Sequence, residues 1–475
     1  MAGFFVENFG CRATQADGAA LERQFEERGL QRVSHAAQAS VVVLNTCTVT
    51  TGADQDARAA IRRVRRQNPQ AQIVVTGCYA QRAPDEIAAL PGVTLVVGNS
   101  HKHQLAEIAL RQLDPDAQTF VPLNALLPPT NGQRPPTDDH RPIFVSDIFA
   151  HTELLAAPVF DAANERTRPN LKVQDGCDNR CSFCVIPFVR GQSRSLPMDR
   201  IIAEVNTLVE AGYREVVISG INLGRWGRDL AAGLTRMGTA ALGRPGERSS
   251  PASLVDLIRA ILSDTALQKL RISSVEPMDW SDELIALIAS SPRIAKHAHV
   301  PMQSGSDAVL RRMHRKYRPW HYREKIARIR AAMPDAAIGA DVMVGFPGET
   351  EAEFESTRKM IDDLPFTYLH VFTYSPRPGT PAAQMTDQVP TRLARERNRI
   401  LRELASEKKL AFMRGFVGRT LQAITLNVVG NDSAGEFTEA LTDNYLKLKL
   451  RGKHAPNRWQ NASVINVING SLLGE

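Results

Sequence analysis

Cys177, Cys181 and Cys184 stand within eight residues, spaced C-x3-C-x2-C, directly after a short β-like run that starts at Asn170 and ends at Gln174. Thiolates this close converge on one metal centre far more easily than they pair with one another. Closely spaced thiolates usually hold an iron–sulfur cluster, whereas structural zinc normally takes four ligands. No fourth cysteine follows in the loop. A four-iron cluster held here keeps one iron without a protein ligand, open to a substrate or cofactor. The alternative for the same three residues is a zinc site completed by a distant histidine.

At 475 residues the chain is too long for one ordinary core and implies two to four domains. Its 43% hydrophobic and 23% charged residues are those of a globular protein in water. No apolar run approaches the length of a membrane span, and Met1 opens straight into a strand-like segment, so the expectation is a cytoplasmic protein without membrane contact. In a reducing compartment the six cysteines, Cys11, Cys47, Cys78, Cys177, Cys181 and Cys184, read as ligands rather than disulfides. The net charge of +7 leans mildly toward a polyanionic partner and decides little alone.

The first 119 residues alternate strand and helix. Strands are expected at residues 4–9, 41–44, 73–75 and 95–97, with an amphipathic helix around Leu21 and Phe25 and another over residues 54–67. Val41-Val42-Val43-Leu44 is the continuous apolar run of a buried parallel strand. The pitch predicts a doubly wound α/β domain with a parallel sheet. Cys11, Cys47 and Cys78 each follow one of its strands, and in such a sheet all strand carboxyl ends lie on one edge. Three cysteines distant in sequence then meet in one crevice as a second three-cysteine iron–sulfur site. Three unrelated buried cysteines are the alternative. Gly10 and Gly77, each preceding a cysteine, suit tight turns close to a bulky group.

Residues 120–165 form a Pro-rich linker, marked by Pro122, Pro128, Pro129, Pro135, Pro136 and Pro142. Strand and helix then repeat six times between Asn170 and Pro376, which predicts an open, six-stranded partial α/β barrel with its chemistry at the strand carboxyl ends. Strands are expected at residues 171–174, 215–219, 269–273, 297–301, 339–344 and 368–374, and helices at 199–211, 281–289 and 351–364. Residues 229–251 read as an inserted surface loop without an assigned role. Residues 391–412 read as an exposed, charged connecting helix. The tail predicts a small antiparallel β-barrel of the oligonucleotide-binding type, with strands at 420–429, 436–441, 445–450 and 462–467. Its basic cluster is Lys447, Lys449, Arg451 and Lys453, the first three alternating with Leu448 and Leu450 on one strand. Two further basic stretches, Arg58, Arg62, Arg63, Arg65 and Arg66, and Arg311, Arg312, Arg315, Lys316 and Arg318, are either phosphate-neutralising groups or solvated helix faces.

The C-x3-C-x-Phe-C run at the end of a first barrel strand resembles the signature of the radical S-adenosylmethionine (SAM) superfamily. The resemblance implies that Cys177, Cys181 and Cys184 hold a [4Fe-4S] cluster whose open iron chelates SAM, with Phe183 near the adenine. It implies cofactor-holding loops at the strand ends: Gly220 and Asn222 toward the methionine amino group, Ser273, Ser274 and Glu276 toward ribose or sulfonium, Gln303 after the fourth strand, and Asp341 through Glu349 beside adenine. Each of these taken alone is equally a turn with a buried polar residue.

Over nearly the whole chain the likeness is narrower. Asn8-Phe9-Gly10-Cys11, Asn45-Thr46-Cys47-Thr48-Val49-Thr50, Gly77-Cys78-Tyr79-Ala80-Gln81, Gln174-Asp175-Gly176-Cys177, Arg190-Gly191, Val300-Pro301-Met302-Gln303-Ser304-Gly305 and Tyr374-Ser375-Pro376-Arg377-Pro378-Gly379-Thr380-Pro381 resemble the methylthiotransferases. That family implies an N-terminal iron–sulfur domain (1–119), a radical SAM core (166–398) and a connecting helix with a substrate-binding TRAM barrel (399–475). Asn45-Thr46-Cys47-Thr48-Val49-Thr50 and Gln174-Asp175-Gly176-Cys177 resemble the branch acting on threonylcarbamoyladenosine beside the tRNA anticodon. Phe9, where leucine is commoner, and Ala13, in place of a larger residue, depart from the pattern.

The resemblance implies replacement of the adenine C2–H by C–SCH3. Two [4Fe-4S] clusters take part, one generating a 5′-deoxyadenosyl radical from SAM and the other, on Cys11, Cys47 and Cys78, carrying sulfur. The implied partners are tRNA through its anticodon loop, a low-potential electron donor such as flavodoxin or ferredoxin, and a sulfur donor, with the enzyme a monomer. Rival readings are the same chemistry on isopentenyladenosine or a ribosomal-protein aspartate, an auxiliary cluster used only for electron transfer, and a non-catalytic iron–sulfur RNA-binding protein.

Overall fold

The computed structural model describes residues 2–111, 142–151, 154, 167–230, 252–432 and 435–475. Residues 120–141 of the expected linker and 231–251 of the expected loop lie outside the described residues. The chain divides into two compact units, Met1–Leu155 with Phe188–Gly191, and the remainder.

In the first unit β1 (Gly3–Asn8), β2 (Gln31–Arg32), β3 (Val41–Thr46), β4 (Gln72–Gly77), β5 (Val93–Gly98) and β6 (Ile143–Phe144) form one sheet in the order β2-β1-β3-β4-β5-β6. Every neighbouring pair is parallel. The order reverses direction between β1 and β3, the switch point at which doubly wound sheets open a crevice. Helices on both faces of the sheet explain why β3 and β4 are buried throughout and carry continuous apolar runs. Val42, Leu44, Ile73 and Val75 pack on one face with Ala57, Ile61 and Val64 of helix Thr51–Gln67. Val41, Val43 and Val74 pack on the other with Leu21 and Phe25 of helix Arg12–Glu26 and Leu105 of helix Leu105–Arg111. The two-residue strands β2 and β6 are additions to the expected four, too short for periodicity to announce.

The second unit opens with β7 (Asn170–Asp175), β8 (Arg194–Ser195), β9 (Glu215–Gly220), β10 (Lys269–Ile272), β11 (His297–His299), β12 (Ala337–Val344) and β13 (Tyr368–Thr373). One sheet runs β10-β9-β7-β8 and a second β11-β12-β13, linked by a parallel bridge between Ser274 and His299. Six of these strands are parallel, as expected of a partial barrel; β8 is a short antiparallel edge on β7. Side-chain caps set where several of the intervening helices begin. Ser253 and Thr350 form reciprocal capping boxes with Asp256 and Glu353, and Ser281 and Ser306 each accept a hydrogen bond from the first helical turn.

The lumen face is polar. Ala298, Val300, Ala340 and Val342 are fully buried on the other face, so alternation turns His297, His299 and Asp341 inward. Arg271 donates to Glu215 at 2.6 Å on the neighbouring strand, both fully buried.

The tail is a closed barrel, β14 (Thr420–Asp432), β15 (Gly435–Thr442), β16 (Lys447–Arg451), β17 (Trp459–Ile468) and β18 (Ser471–Gly474), in the order β14-β15-β16-β18-β17. Two expectations are corrected here. Tyr445, expected in the third tail strand, sits in the preceding turn at φ +66°, and the closing strand β18, parallel to β16, was not anticipated. The connecting helix Thr391–Arg414 is not simply exposed, because Ala394, Arg397, Leu401, Ala405 and Met413 are buried along one side. The tail barrel docks at the amino ends of the larger barrel's strands. Arg271 donates to the carbonyls of Asp443 and Thr442 at 3.2 and 3.4 Å, Lys269 pairs with Asp443 at 3.0 Å, and the Tyr445 ring lies 4.7 Å from that of His297. Among the described residues no helix is long and apolar enough to cross a membrane.

Candidate active site

The loop after β7 carries Cys177, Cys181 and Cys184, and it is pinned from three directions. Ser182 donates from Oγ to the Arg312 carbonyl at 2.7 Å and from its backbone N–H to that of Met313 at 3.1 Å, while Ala382 N–H donates to Ser182 O at 2.9 Å. Phe183 packs edge-on to Phe346 at 6.4 Å, within the loop that follows β12. Burial pushes the Cys184 thiol up to about 12, with the Cys181 sulfur adding to it, and raises Cys177 to about 11. Thiols so placed are neutral at physiological pH until a metal displaces their protons.

Around this loop several buried polar atoms have no hydrogen-bond partner among the described residues: Gln174 Oε1, Ser219 Oγ and Asn222 Oδ1. Asn222 is left-handed at φ +73°, and Gly220 sits so close to Gln174 that an added Cβ would meet its Cβ at 2.8 Å. A cavity of about 330 Å³ opens beside them, lined by Asp178, Asn179, Ser193, Asn222, Arg225 and Lys316. Asn222 Oδ1, without a partner at the wall of a cavity next to the thiolate loop, fits a polar ligand bound across the strand ends.

The remaining expected cofactor residues divide. Ser273 continues the β10 ladder through its N–H to Ile218 O at 3.1 Å, Ser274 bridges to His299, and Glu276 accepts from Arg315. Gln303 is left-handed at φ +61° and hydrogen-bonded through its backbone to Asp341 O at 2.8 Å. Ser304 and Gly305 are used internally: Ser304 Oγ meets Thr357 Oγ1 at 3.1 Å, and a Cβ on Gly305 would strike Thr357 Cα at 2.7 Å. Asp341 lies deeper in the lumen, its Oδ1 3.3 Å from His299 Nε2, with His370 completing the group.

Arg315 departs from its sequence expectation. Its place in a basic stretch suggests a solvated helix face or phosphate neutralisation, but it is buried, with Nη1 3.2 Å from Cys181 Sγ and Nη2 on Glu276. Its neighbours are committed as well: Arg311 and Arg318 pair with Asp307 at 2.8 and 3.3 Å, and Arg312 with Glu353 at 2.8 Å. On helix Thr51–Gln67, Arg58 donates to Tyr79 at 2.7 Å and Arg63 to Glu7 at 2.7 Å, while Arg62, Arg65 and Arg66 are exposed. In the tail Lys447, Arg451 and Lys453 are exposed on or after β16, and Lys449 lies 4.2 Å over the Phe437 ring.

In the first unit Cys11, Cys47 and Cys78 follow β1, β3 and β4, at the switch-point edge. An added Cβ on Gly10, at φ +98°, would lie 2.7 Å from Cys47 Sγ, so only glycine lets the Cys11 turn cross Cys47. Burial drives the Cys47 thiol up to about 12, and the Cys78 and Cys11 sulfurs push the same way. The pocket beneath is held by Asn45, which donates to Asn8 Oδ1 at 2.9 Å and Thr14 O at 2.8 Å and accepts from Lys102 at 3.1 Å. Lys102 and Arg190 both donate to Asp17, at 3.0 and 2.9 Å, and Asn99 Nδ2 lies 3.7 Å from Cys78 Sγ. Lys102 and Asp17 were not anticipated, since nothing in their spacing marks them, and Arg190, quoted only as part of the Arg190-Gly191 motif, was given no role in this site.

Among the described residues His299, Asp341 and His370 bring three ligand atoms within 4.8 Å of one another.

A partial parallel barrel with this thiolate loop at the end of its first strand defines a radical SAM enzyme. Residues 171–361 match the radical SAM superfamily, and residues 3–98 match the family described as "Uncharacterized protein family UPF0004". The threonylcarbamoyladenosine tRNA methylthiotransferase MtaB of Aquifex aeolicus is 35% identical over 94% of this chain and 96% of its own length. MtaB of Bacillus subtilis is 35% identical over 95% of this chain and 91% of its own length. The tRNA-2-methylthio-N(6)-dimethylallyladenosine synthase of Erythrobacter litoralis is 34% identical over 88% of this chain and 85% of its length. Among solved structures the cobalamin-dependent SAM radical enzyme OxsB superposes with a TM-score of 0.50 at 10% identity, covering 86% of this chain and 56% of that one, a likeness of fold. The chain belongs to the radical SAM tRNA methylthiotransferases. That membership carries with it SAM and one [4Fe-4S] cluster.

Proposed function

We propose that this enzyme adds a methylthio group to N6-threonylcarbamoyladenosine beside the tRNA anticodon, using a second iron–sulfur cluster on Cys11, Cys47 and Cys78. The observation that carries the two-cluster reading is the placement of those three cysteines at the ends of adjoining parallel strands, in a chain that also has the thiolate loop after β7. For the substrate, support comes from the relatives named for threonylcarbamoyladenosine. The relatives named for the dimethylallyl nucleoside keep isopentenyladenosine as the second reading.

The cluster and SAM together supply one-electron chemistry able to replace the unactivated C2–H of adenine. The chain's own residues bind and orient. Cys177, Cys181 and Cys184 are the ligands of the first cluster. Gln174, Asn222 and Glu276 offer polar atoms to the methionine end of SAM, with Gly220 and the two serines Ser273 and Ser274 shaping the strand ends beside them. Phe183, Gln303 and Asp341 line the adenosyl side. Lys447, Lys449, Arg451 and Lys453 neutralise phosphate, and an unpaired anticodon-loop base is accessible to such a site without duplex opening. Low-potential electrons come from a flavodoxin- or ferredoxin-type donor and sulfur from a separate donor.

Mass spectrometry of tRNA nucleosides from a strain lacking the gene tests the reading. Loss of the methylthio form of threonylcarbamoyladenosine, restored by the intact chain, supports it. Loss confined to the isopentenyl nucleoside moves the substrate to the second reading, and unchanged nucleosides overturn both.

A further inference from the structure

Arg315 lies just beyond the short helix Asp307–Arg312, and its guanidinium is turned into the barrel mouth with the side chain only 6% exposed. Three contacts fix it. Nη1 donates to Cys181 Sγ at 3.2 Å, Nη2 donates to Glu276, and Nε approaches the Tyr317 hydroxyl at 3.3 Å. Tyr317 is itself locked, donating to the Met302 carbonyl at 2.7 Å, and the guanidinium stands 5.0 Å from its ring centre. A planar fork clamped on two sides has little freedom to swing away from the sulfur. Lysine at this position could satisfy the sulfur or the carboxylate, but not both in this geometry.

A permanently charged donor on a cluster thiolate has a definite electrostatic effect. One-electron reduction breaks no bond and adds one negative charge to the cluster, supplied by an external low-potential reductant. N–H donors to the ligating sulfur stabilise that added charge, and hydrogen bonds to sulfur are among the levers that set iron–sulfur potentials. We propose that Arg315 is a positioning residue that raises the reduction potential of the Cys177/Cys181/Cys184 cluster through its hydrogen bond to Cys181, and that the same guanidinium holds Glu276 at the cofactor mouth. The proposal rests on the radical SAM cluster alone and is independent of the second cluster and of the tRNA substrate.

The test is an EPR-monitored redox titration of the full-length, cluster-loaded protein with dithionite and low-potential mediators, comparing wild type with Arg315→Met, Arg315→Gln and Glu276→Gln. In Arg315→Met the reduction equilibrium should fall at least tenfold, a shift of about 59 mV to lower potential for one electron. Proton ENDOR of the reduced cluster in H2O and D2O should show an exchangeable proton coupling in wild type that Arg315→Met lacks. Glu276→Gln, which removes a negative charge from beside the same guanidinium, should shift the midpoint the opposite way, upward, while weakening SAM binding. SAM cleavage by Arg315→Met should be slow with a mild reductant and recover with a stronger one, which a merely structural defect would not do. An unchanged midpoint with intact cluster content in Arg315→Met overturns the proposal. Should that variant fail to hold iron, Arg315→Gln, neutral and still polar, decides: a lowered midpoint supports the proposal, and a wild-type midpoint overturns it.

Discussion

Arg397 on the connecting helix donates to Glu349 twice, to the carboxylate Oε2 at 2.8 Å and to the main-chain carbonyl at 3.0 Å, with both side chains almost wholly buried. Burial pushes the Glu349 carboxyl up, while the Gly345 N–H, donating at 2.7 Å, and Arg397 pull it back. The loop from Gly345 to Glu349 is therefore braced by a helix whose charge pattern reads as a solvated connector. Removing one member of a buried pair strands the other charge, at a cost of about 3–5 kcal/mol. Arg397→Ala should lower the urea midpoint of the second unit accordingly and weaken SAM binding severalfold. The double variant Arg397→Met/Glu349→Leu should recover much of the stability. Denaturant melts of the three proteins check this.

Cys184→Ala should abolish SAM cleavage, because it removes one of the three ligands after β7. Cys47→Ala should leave cleavage intact and stop thiolation. Assay of 5′-deoxyadenosine release beside nucleoside analysis separates the two. Methylthiolated tRNA from both variants would refute the division of labour between the two cysteine sets.

The pH behaviour of the cluster-free chain follows from burial of its thiols. A thiol raised above its unfolded value of 9.0, to about 12 for Cys47 and Cys184 and about 11 for Cys177, stabilises the fold fully below pH 9. That stability drains away as pH climbs toward the raised values, because the unfolded chain ionises first. Urea midpoints should fall between pH 9 and 11, and the fall should be shallower in Cys184→Ala and Cys47→Ala. A pH-independent difference between wild type and variants would contradict it.

Reversing the charge on β16 should weaken tRNA binding without touching SAM cleavage. Every phosphate that is no longer neutralised reduces the salt dependence of log Kobs by about 0.7–0.9. Lys447→Glu/Arg451→Glu is therefore expected to bind tRNA at least tenfold more weakly with a flatter salt slope, measured by filter binding across a salt series.

The sequence disclosed those parts of the molecule whose signal is local. Val41-Val42-Val43-Leu44 announced a strand buried on both faces, and C-x3-C-x2-C announced a metal loop, because in each the informative residues are neighbours. The crevice of Cys11, Cys47 and Cys78 was reachable one step further on, since a parallel sheet has only one carboxyl edge. Arg315 and Arg397 escape a sequence reading for the converse reason. A charged residue in a charged stretch looks solvated until a carboxylate or thiolate from another strand end is found beside it, and Glu276 and Glu349 give no hint of that pairing. Lys102 and Arg190 meet on Asp17 from positions far apart in the chain, a relation no spacing rule reaches.

The docking of the tail barrel at the amino ends of the larger barrel's strands sets a distance. Its contacts with Arg271, Lys269 and His297 are at the far end of the lumen from the thiolate loop, and β7 alone is six residues long, about 20 Å of extended chain. On the proposed assignment of Lys447 and Arg451 to phosphate, the substrate must span the gap between the tail barrel and the mouth, so its reach becomes a condition for reaction beside the identity of its base.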